Sequence, residues 1–211
     1  MGLLTETRAT YEVQTTMPIK QVPVVALSLF LLLLSVQALA ASPPAAAQKP
    51  VKTLINSIRY GKLDLAAKQI SFADMMKRLL AQDLAKFSDA EQKEFAQGLE
   101  TVIRADSLPK GKDKFQYLDN VLYEDPREEK GEVRCKTTIV IYKNVKKTEL
   151  VIDWILVSDS GTLKIADMVL LGESTLDGIR EDQVQPLLAE GGPAKVMELL
   201  RKKVAEVTKK K

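Results

Sequence analysis

The segment VRCKTTIVIYKNVKKTELVIDWILVSDSGTLKIADMVLLGESTLDGIR, residues 133–180, decides the fold. Across residues 133–142, Val133, Cys135, Thr137, Ile139 and Ile141 fall on one side. Arg134, Lys136, Thr138, Val140 and Tyr142 fall on the other, which is the period of a half-buried strand. Residues 149–157 carry Leu150, Ile152, Trp154 and Leu156 on one face. Val151, Ile155 and Val157 make the other face nearly as apolar, so this strand is expected to be covered on both sides. Polar residues 143–148 precede it, and Ser158-Asp159-Ser160-Gly161 separates it from a third run, 163–171. Short polar connections between β-type runs predict hairpins, hence an antiparallel meander. Its third strand holds Asp167 between apolar neighbours and leads into Gly172, Ser174 and Asp177, residues suited to a tight turn and a helix cap.

Upstream, the period changes from two to 3.6. Val51, Leu54, Ile55 and Ile58 have the spacing of an amphipathic helix, and Gly61 separates it from a short continuation over 64–70. Residues 71–87 offer Phe72, Met75, Met76, Leu79, Leu80 and Leu84 on a helix expected to be capped by Ser71. Ser88-Asp89-Ala90-Glu91 is a capping box, and the helix it opens carries Phe95, Leu99, Val102 and Ile103 on one side. Leu108-Pro109-Lys110-Gly111 is expected to break that helix, and 115–123 could supply a first strand before a polar loop, 124–131. After the meander, 175–188 reads as a helix bent or divided at Pro186. Gly191-Gly192-Pro193 stops it, and 194–207 restarts as a final helix. Helices first and a sheet afterwards is an α+β pattern.

Composition narrows the chemistry. The chain of 211 residues is 45% hydrophobic and 28% charged with a formal charge of +3, too mild a balance to argue for nucleic acid. It has no His and one Cys, which removes Ser-His-Asp and Cys-His catalysis, most zinc sites and any internal disulfide. Cys135, on an apolar strand face, reads as a small core residue. No cofactor, metal or catalytic residue is expected.

The N-terminus reads as a targeting segment. Residues 22–36 form an apolar run preceded by Lys20 and followed by Ala38-Leu39-Ala40, so 1–40 is expected to be a secretory signal cleaved after Ala40, with Met17 an alternative start. Ala/Pro-rich 41–50 is expected to be a tether and 51–208 one domain.

The order Gly161, Lys164, Asp167, Gly172, Ser174, Arg180, followed by Gly191-Gly192 and a closing amphipathic helix, resembles the C-terminal half of the MlaC, or toluene-tolerance, family of periplasmic phospholipid-binding proteins. The resemblance runs from about residue 79 to the C-terminus and is best over 152–200. It departs at Leu163 and Gln183, where that family has aromatics. It implies an NTF2-like α+β fold, with N-terminal helices packed on a curved antiparallel sheet and C-terminal helices added. It further implies a soluble periplasmic carrier that buries the two acyl chains of a phospholipid. Such a carrier shuttles lipid between an outer-membrane lipoprotein complex and an inner-membrane ABC transporter complex, so maintaining outer membrane lipid asymmetry. On that reading the helical residues expected to line a cavity are Met75, Met76, Leu79, Leu80, Leu84, Phe95 and Leu99. Those from the sheet are Ile139, Ile141, Ile152, Trp154, Leu156, Met168 and Leu170. Asp167 and Arg180 are expected to form a structural ion pair or to stand at the pocket mouth. A small NTF2-like enzyme using Asp167, or an exported protein-binding module, remain the alternatives.

Overall fold

In the computed structural model, residues 44–209 are described, Lys130 excepted. The expected signal segment 1–40 lies outside them. Helix α1 (Pro44–Arg59) leads through α2 (Leu63–Ala67) to α3 (Phe72–Leu80), a 3-10 turn and α4 (Asp89–Val102). Helix α5 (Leu108–Phe115) precedes strands β1 (Leu118–Tyr123), β2 (Arg127–Glu129), β3 (Glu132–Lys143), β4 (Lys146–Asp159), β5 (Thr162–Leu170) and β6 (Glu173–Ser174). Helices α6 (Thr175–Ile179) and α7 (Gln185–Thr208) close the chain. None of the described helices is long and apolar enough to cross a membrane.

All strand pairs are antiparallel, in the order β1-β3-β4-β5-β6 with β2 also on β3. The expected meander is β3-β4-β5, and 115–123 does supply the first strand, β1. Arg127–Glu129 adds a short strand inside the expected polar loop. Four other expectations are corrected. Helix α1 starts at Pro44, inside the expected tether, because Ala47 and Pro50 are buried against the domain and the alanines favour helix. Pro109 does not break the helical path: a π-turn, Ile103–Ser107, absorbs the change, and Pro109 sits in the first turn of α5, where its missing N–H costs no bond. Ser71 does not cap α3 through its side chain; its single hydroxyl proton is shared between Asp74 (2.7 Å) and the more distant Asp159 (3.3 Å) instead. Pro186 does not interrupt a helix either: a π-turn, Arg180–Val184, follows α6, and Pro186 sits in the first turn of α7. Three other signals stand as read. Ser88 and Glu91 form a reciprocal capping box, and Ser174 Oγ accepts the Asp177 amide. Gly191 and Gly192 leave helical geometry inside α7.

The helical layer is fastened to the sheet at one strand. The Ile165 N–H donates to the Gln69 carbonyl and the Ile165 carbonyl accepts from the Ser71 N–H, both at 2.8 Å. Two apolar cores result. One packs α1, α2 and α5 on the inner face of the sheet around Ile55, Ile139, Trp154 and Leu156. The other lies among the helices, where Met76, Leu80, Phe87, Phe95, Val196 and Met197 bring α3, α4 and α7 together. Phe87 and Phe95 meet edge to face at 6.4 Å, a favoured aromatic geometry. On the outer face of the sheet, Arg127 and Arg134 converge on Asp153, and Arg78 ties α3 to Glu132 at 2.5 Å.

Helices α4 and α7 approach closely at Gly98, where a Cβ would stand 2.8 Å from Leu200 Cδ2. Gly98→Val should therefore cost ~1–3 kcal/mol by overpacking. Adding Leu200→Ala should recover part of that loss in denaturant melts, whereas additive losses would mean that the two helices do not meet there.

Candidate functional site

The two cores meet around a cavity of about 440 Å³, within the roughly 300–1,000 Å³ of pockets that hold small organic ligands. Leu54 and Ile58 of α1 and Leu108 and Phe115 around α5 form one wall. Ile152 and Trp154 of β4 with Ile165, Met168 and Leu170 of β5 form the floor. Met75 of α3 and Leu176 and Ile179 of α6 close the side toward the second core. Exposed Ser107 and Leu150 carry the lining out to solvent. The Trp154 indole N–H is spent on Thr137 Oγ1 at 2.9 Å, so its ring offers the cavity hydrocarbon alone.

Polar lining comes from Ser107, Asp167 and Thr175. A β-bulge brings Asp167 there: Ile155 faces Asp167 and Leu156 faces Ile165, leaving Ala166 between them without an opposite residue. Both Ala166 and Asp167 then reach the cavity. Asp167 Oδ1 accepts from the amides of Met168 (2.7 Å) and Leu176 (3.3 Å), and Oδ2 accepts from the Ser174 hydroxyl (2.5 Å). The carboxylate thus clamps the start of α6 onto β5. Burial raises its pKa above the ordinary 3.8, outweighing the opposing hydrogen bonds from Ser174, Met168 and Leu176. Thr175 Oγ1 is buried and without a hydrogen-bond partner, a deficit worth roughly 1–3 kcal/mol to whatever satisfies it.

The expected Asp167–Arg180 pair is therefore corrected. Arg180 pairs with Asp177 at 3.3 Å and reaches Glu181 at 3.9 Å. It lies a turn and more along the helix from the Ser174 hydroxyl and Leu176 amide that take up Asp167. Of the expected cavity residues, Met75, Ile152, Trp154, Met168 and Leu170 stand on the wall. Met76, Leu79, Leu80, Leu84, Phe95 and Leu99 do not; they pack in the second core, where α4 and α7 fill the space in front of α3. Ile139, Ile141 and Leu156 belong to the first core beside the cavity. Sequence reasoning missed the contributions of α1, α5 and α6. Leu54 and Ile58 carried a readable signal, an apolar helix face, while Phe115 and Ile179 had none beyond hydrophobicity. Cys135 is fully buried with its thiol pushed up to about 11, chiefly by desolvation, as befits a core residue.

A protein-family model described as MlaC protein matches residues 53–202. The chain belongs to the MlaC family. The matched span of this MlaC chain contains every residue that lines the cavity. Among solved structures, the phospholipid-binding protein from Ralstonia solanacearum, in complex with a phospholipid, superposes with a TM-score of 0.62 at 12% identity. That alignment covers 78% of this chain and 97% of the other, and it bears on the fold alone. A second solved chain, with NTF2 in its name, is 15% identical over 58% of this chain and 93% of that one; its TM-score of 0.32 is too low to inform the fold. No curated protein gives a significant match. The MlaC fold here is α+β, with helices on an open antiparallel sheet and C-terminal helices added.

Because Asp167 binds its proton more readily folded than unfolded, its ionisation costs stability as pH rises through and above the ordinary aspartate range. Acidification from neutral pH toward that range should therefore stabilise the parent relative to Asp167→Asn. Thermal melts of both proteins across that interval check the sign, and a constant or opposite difference would count against a raised pKa.

Proposed function

We propose that this protein is an exported, soluble phospholipid carrier that takes up acyl chains in the cavity between its helices and sheet. The observation that carries the reading is the chemistry of that cavity: about 440 Å³ walled by aliphatic, aromatic and thioether side chains, with polar groups confined to Ser107, Asp167 and Thr175. Each CH₂ transferred from water to such a wall gains ~0.8 kcal/mol, so a long acyl chain would be held strongly without any charged contact. Membership of the MlaC family and a fold shared with a phospholipid-binding protein support the same ligand class. The unsatisfied Thr175 hydroxyl offers one hydrogen bond to the glycerol or phosphate portion. Residues 1–40 are read as the export signal and the periplasm as its destination. There the protein would shuttle lipid between an outer-membrane lipoprotein complex and an inner-membrane ABC transporter complex.

Among the described residues, Asp167 is the one that could suggest an enzyme instead, since a buried carboxyl with a raised pKa can serve as a general acid. Its oxygens are engaged by Ser174, Met168 and Leu176, and with no His in the chain no second acid or base of that type stands by it. Binding without chemistry is the reading these contacts support.

Met168→Trp should fill the cavity and remove phospholipid that co-purifies with the parent, leaving the melting temperature nearly unchanged. Leu80→Trp, in the close-packed second core, should cost ~1–3 kcal/mol yet leave lipid bound to the folded fraction. Mass spectrometry of native extracts, paired with melts, makes the comparison. A parent that carries no phospholipid, or a folded Met168→Trp variant that carries as much, would refute the carrier reading.

A further inference from the structure

The three tight turns that join β3, β4, β5 and β6 in succession differ in a way that the fold does not require. Each has positive φ at both central residues: 50° and 62° at Asn144-Val145, 52° and 78° at Ser160-Gly161, 54° and 89° at Leu171-Gly172. Such turns favour Asn, Asp and Gly. Val145 and Leu171 break that preference, and both are fully exposed, at 99% and 101%. A β-branched residue at positive φ is a backbone outlier, and strain of this kind is kept where something outside the fold rewards it. Because successive strands reverse direction, the turns at Val145 and Leu171 lie at one end of the sheet and Ser160-Gly161 at the other.

At that end the β3–β4 hairpin is an overhanging arm. Leu170, the last residue of β5, faces Ile152, so residues 146–151 extend beyond β5 by roughly 20 Å at about 3.4 Å per residue. Residues 142–151 are all exposed. They combine Tyr142, Val145 and Val151 with Lys143, Lys146 and Lys147, against a single acid, Glu149, which pairs with Lys147 at 2.7 Å. Tyr117 stands beside the arm, bonded to the Tyr142 amide through its carbonyl (2.9 Å) and covered by Lys143 at 4.8 Å. At the base of the arm, Leu150 and Leu170 belong to the cavity wall.

We propose that this arm, with the Leu171 turn beside it, docks the protein on an anionic bilayer surface and sets the cavity mouth against the lipid headgroups. Lysines meet the negative headgroup layer, tyrosines suit its interfacial zone, and the two exposed aliphatic turn residues enter the boundary of the acyl region. The proposal rests on the carrier reading for its purpose, but its test does not depend on co-purified lipid.

Cys135 is fully buried, so a new surface thiol in the full chain can be labelled selectively with an environment-sensitive dye. Thr148→Cys marks the arm and Thr162→Cys marks the opposite end of the sheet. Vesicles of phosphatidylethanolamine and phosphatidylglycerol should blue-shift the dye at 148 and leave the dye at 162 unshifted. Vesicles of phosphatidylcholine alone, or high salt, should abolish most of the shift. Adding Val145→Gly or Leu171→Asn to the labelled arm variant should weaken vesicle affinity roughly tenfold, the loss of one buried aliphatic side chain. Each change also installs an Asn-Gly turn, so it should raise the melting temperature and keep co-purified phospholipid. A contact that only served folding would move stability the other way. Equal shifts at both positions, no shift at either, or undiminished binding by the two turn variants would overturn the proposal. So would a shift that appears only when a membrane protein is reconstituted in the vesicles, which would assign the arm to a protein partner.

Discussion

The backbone bridge at Ile165 is the constraint on which the rest depends. Its amide and carbonyl bind Gln69 and Ser71, so the chain leaving α2 must pass along the edge of β5 before α3 begins. That one crossing divides the helices. Helices α1, α2 and α5 lie on the inner face of the sheet, while α3 turns away to build a second core with α4 and α7. Neither core closes completely over Ile152, Trp154 and Met168, and the space left between them is the cavity.

The bulge at Ala166 and the carboxylate of Asp167 hold the other side of that space open. Asp167 spends its hydrogen-bonding capacity on the Ser174 hydroxyl and two amides, fixing where α6 starts and therefore where Leu176 and Ile179 stand. Burying a carboxylate raises its pKa and costs stability at neutral pH. An apolar residue could not accept the Leu176 amide, so the cost secures the angle at which α6 meets β5. On the carrier reading, a ligand would be held mainly by the walls that this geometry sets and only slightly by Thr175.

Much of the fold was legible because it is written in local patterns. Alternation over β3 and β4, the Ser88–Glu91 capping box, the Ser174 cap and the Gly191–Gly192 break each depend on residues a few positions apart. The candidate site was less legible. Met75, Met76, Leu79 and Leu80 all lie on the apolar side of α3, and periodicity marks them alike. Only Met75 borders the cavity; Leu80 is fully buried among α3, α4 and α7.

The sequence by itself determined the helix and strand periods, the hairpin turns, the absence of histidine chemistry and the membership expressed in Asp167, Gly172, Ser174 and Arg180 as an ordered set. Tertiary structure decided which apolar faces are packed solid and which front a void, because burial and cavity lining demand the same hydrophobic side chains. It also decided the partner of Asp167. The choice among Ser174, the Leu176 amide and Arg180 turns on distances set by a two-residue turn and a bulge, and opposite charge thirteen residues away cannot compete with donors brought to 2.5–3.3 Å by the chain's own reversal.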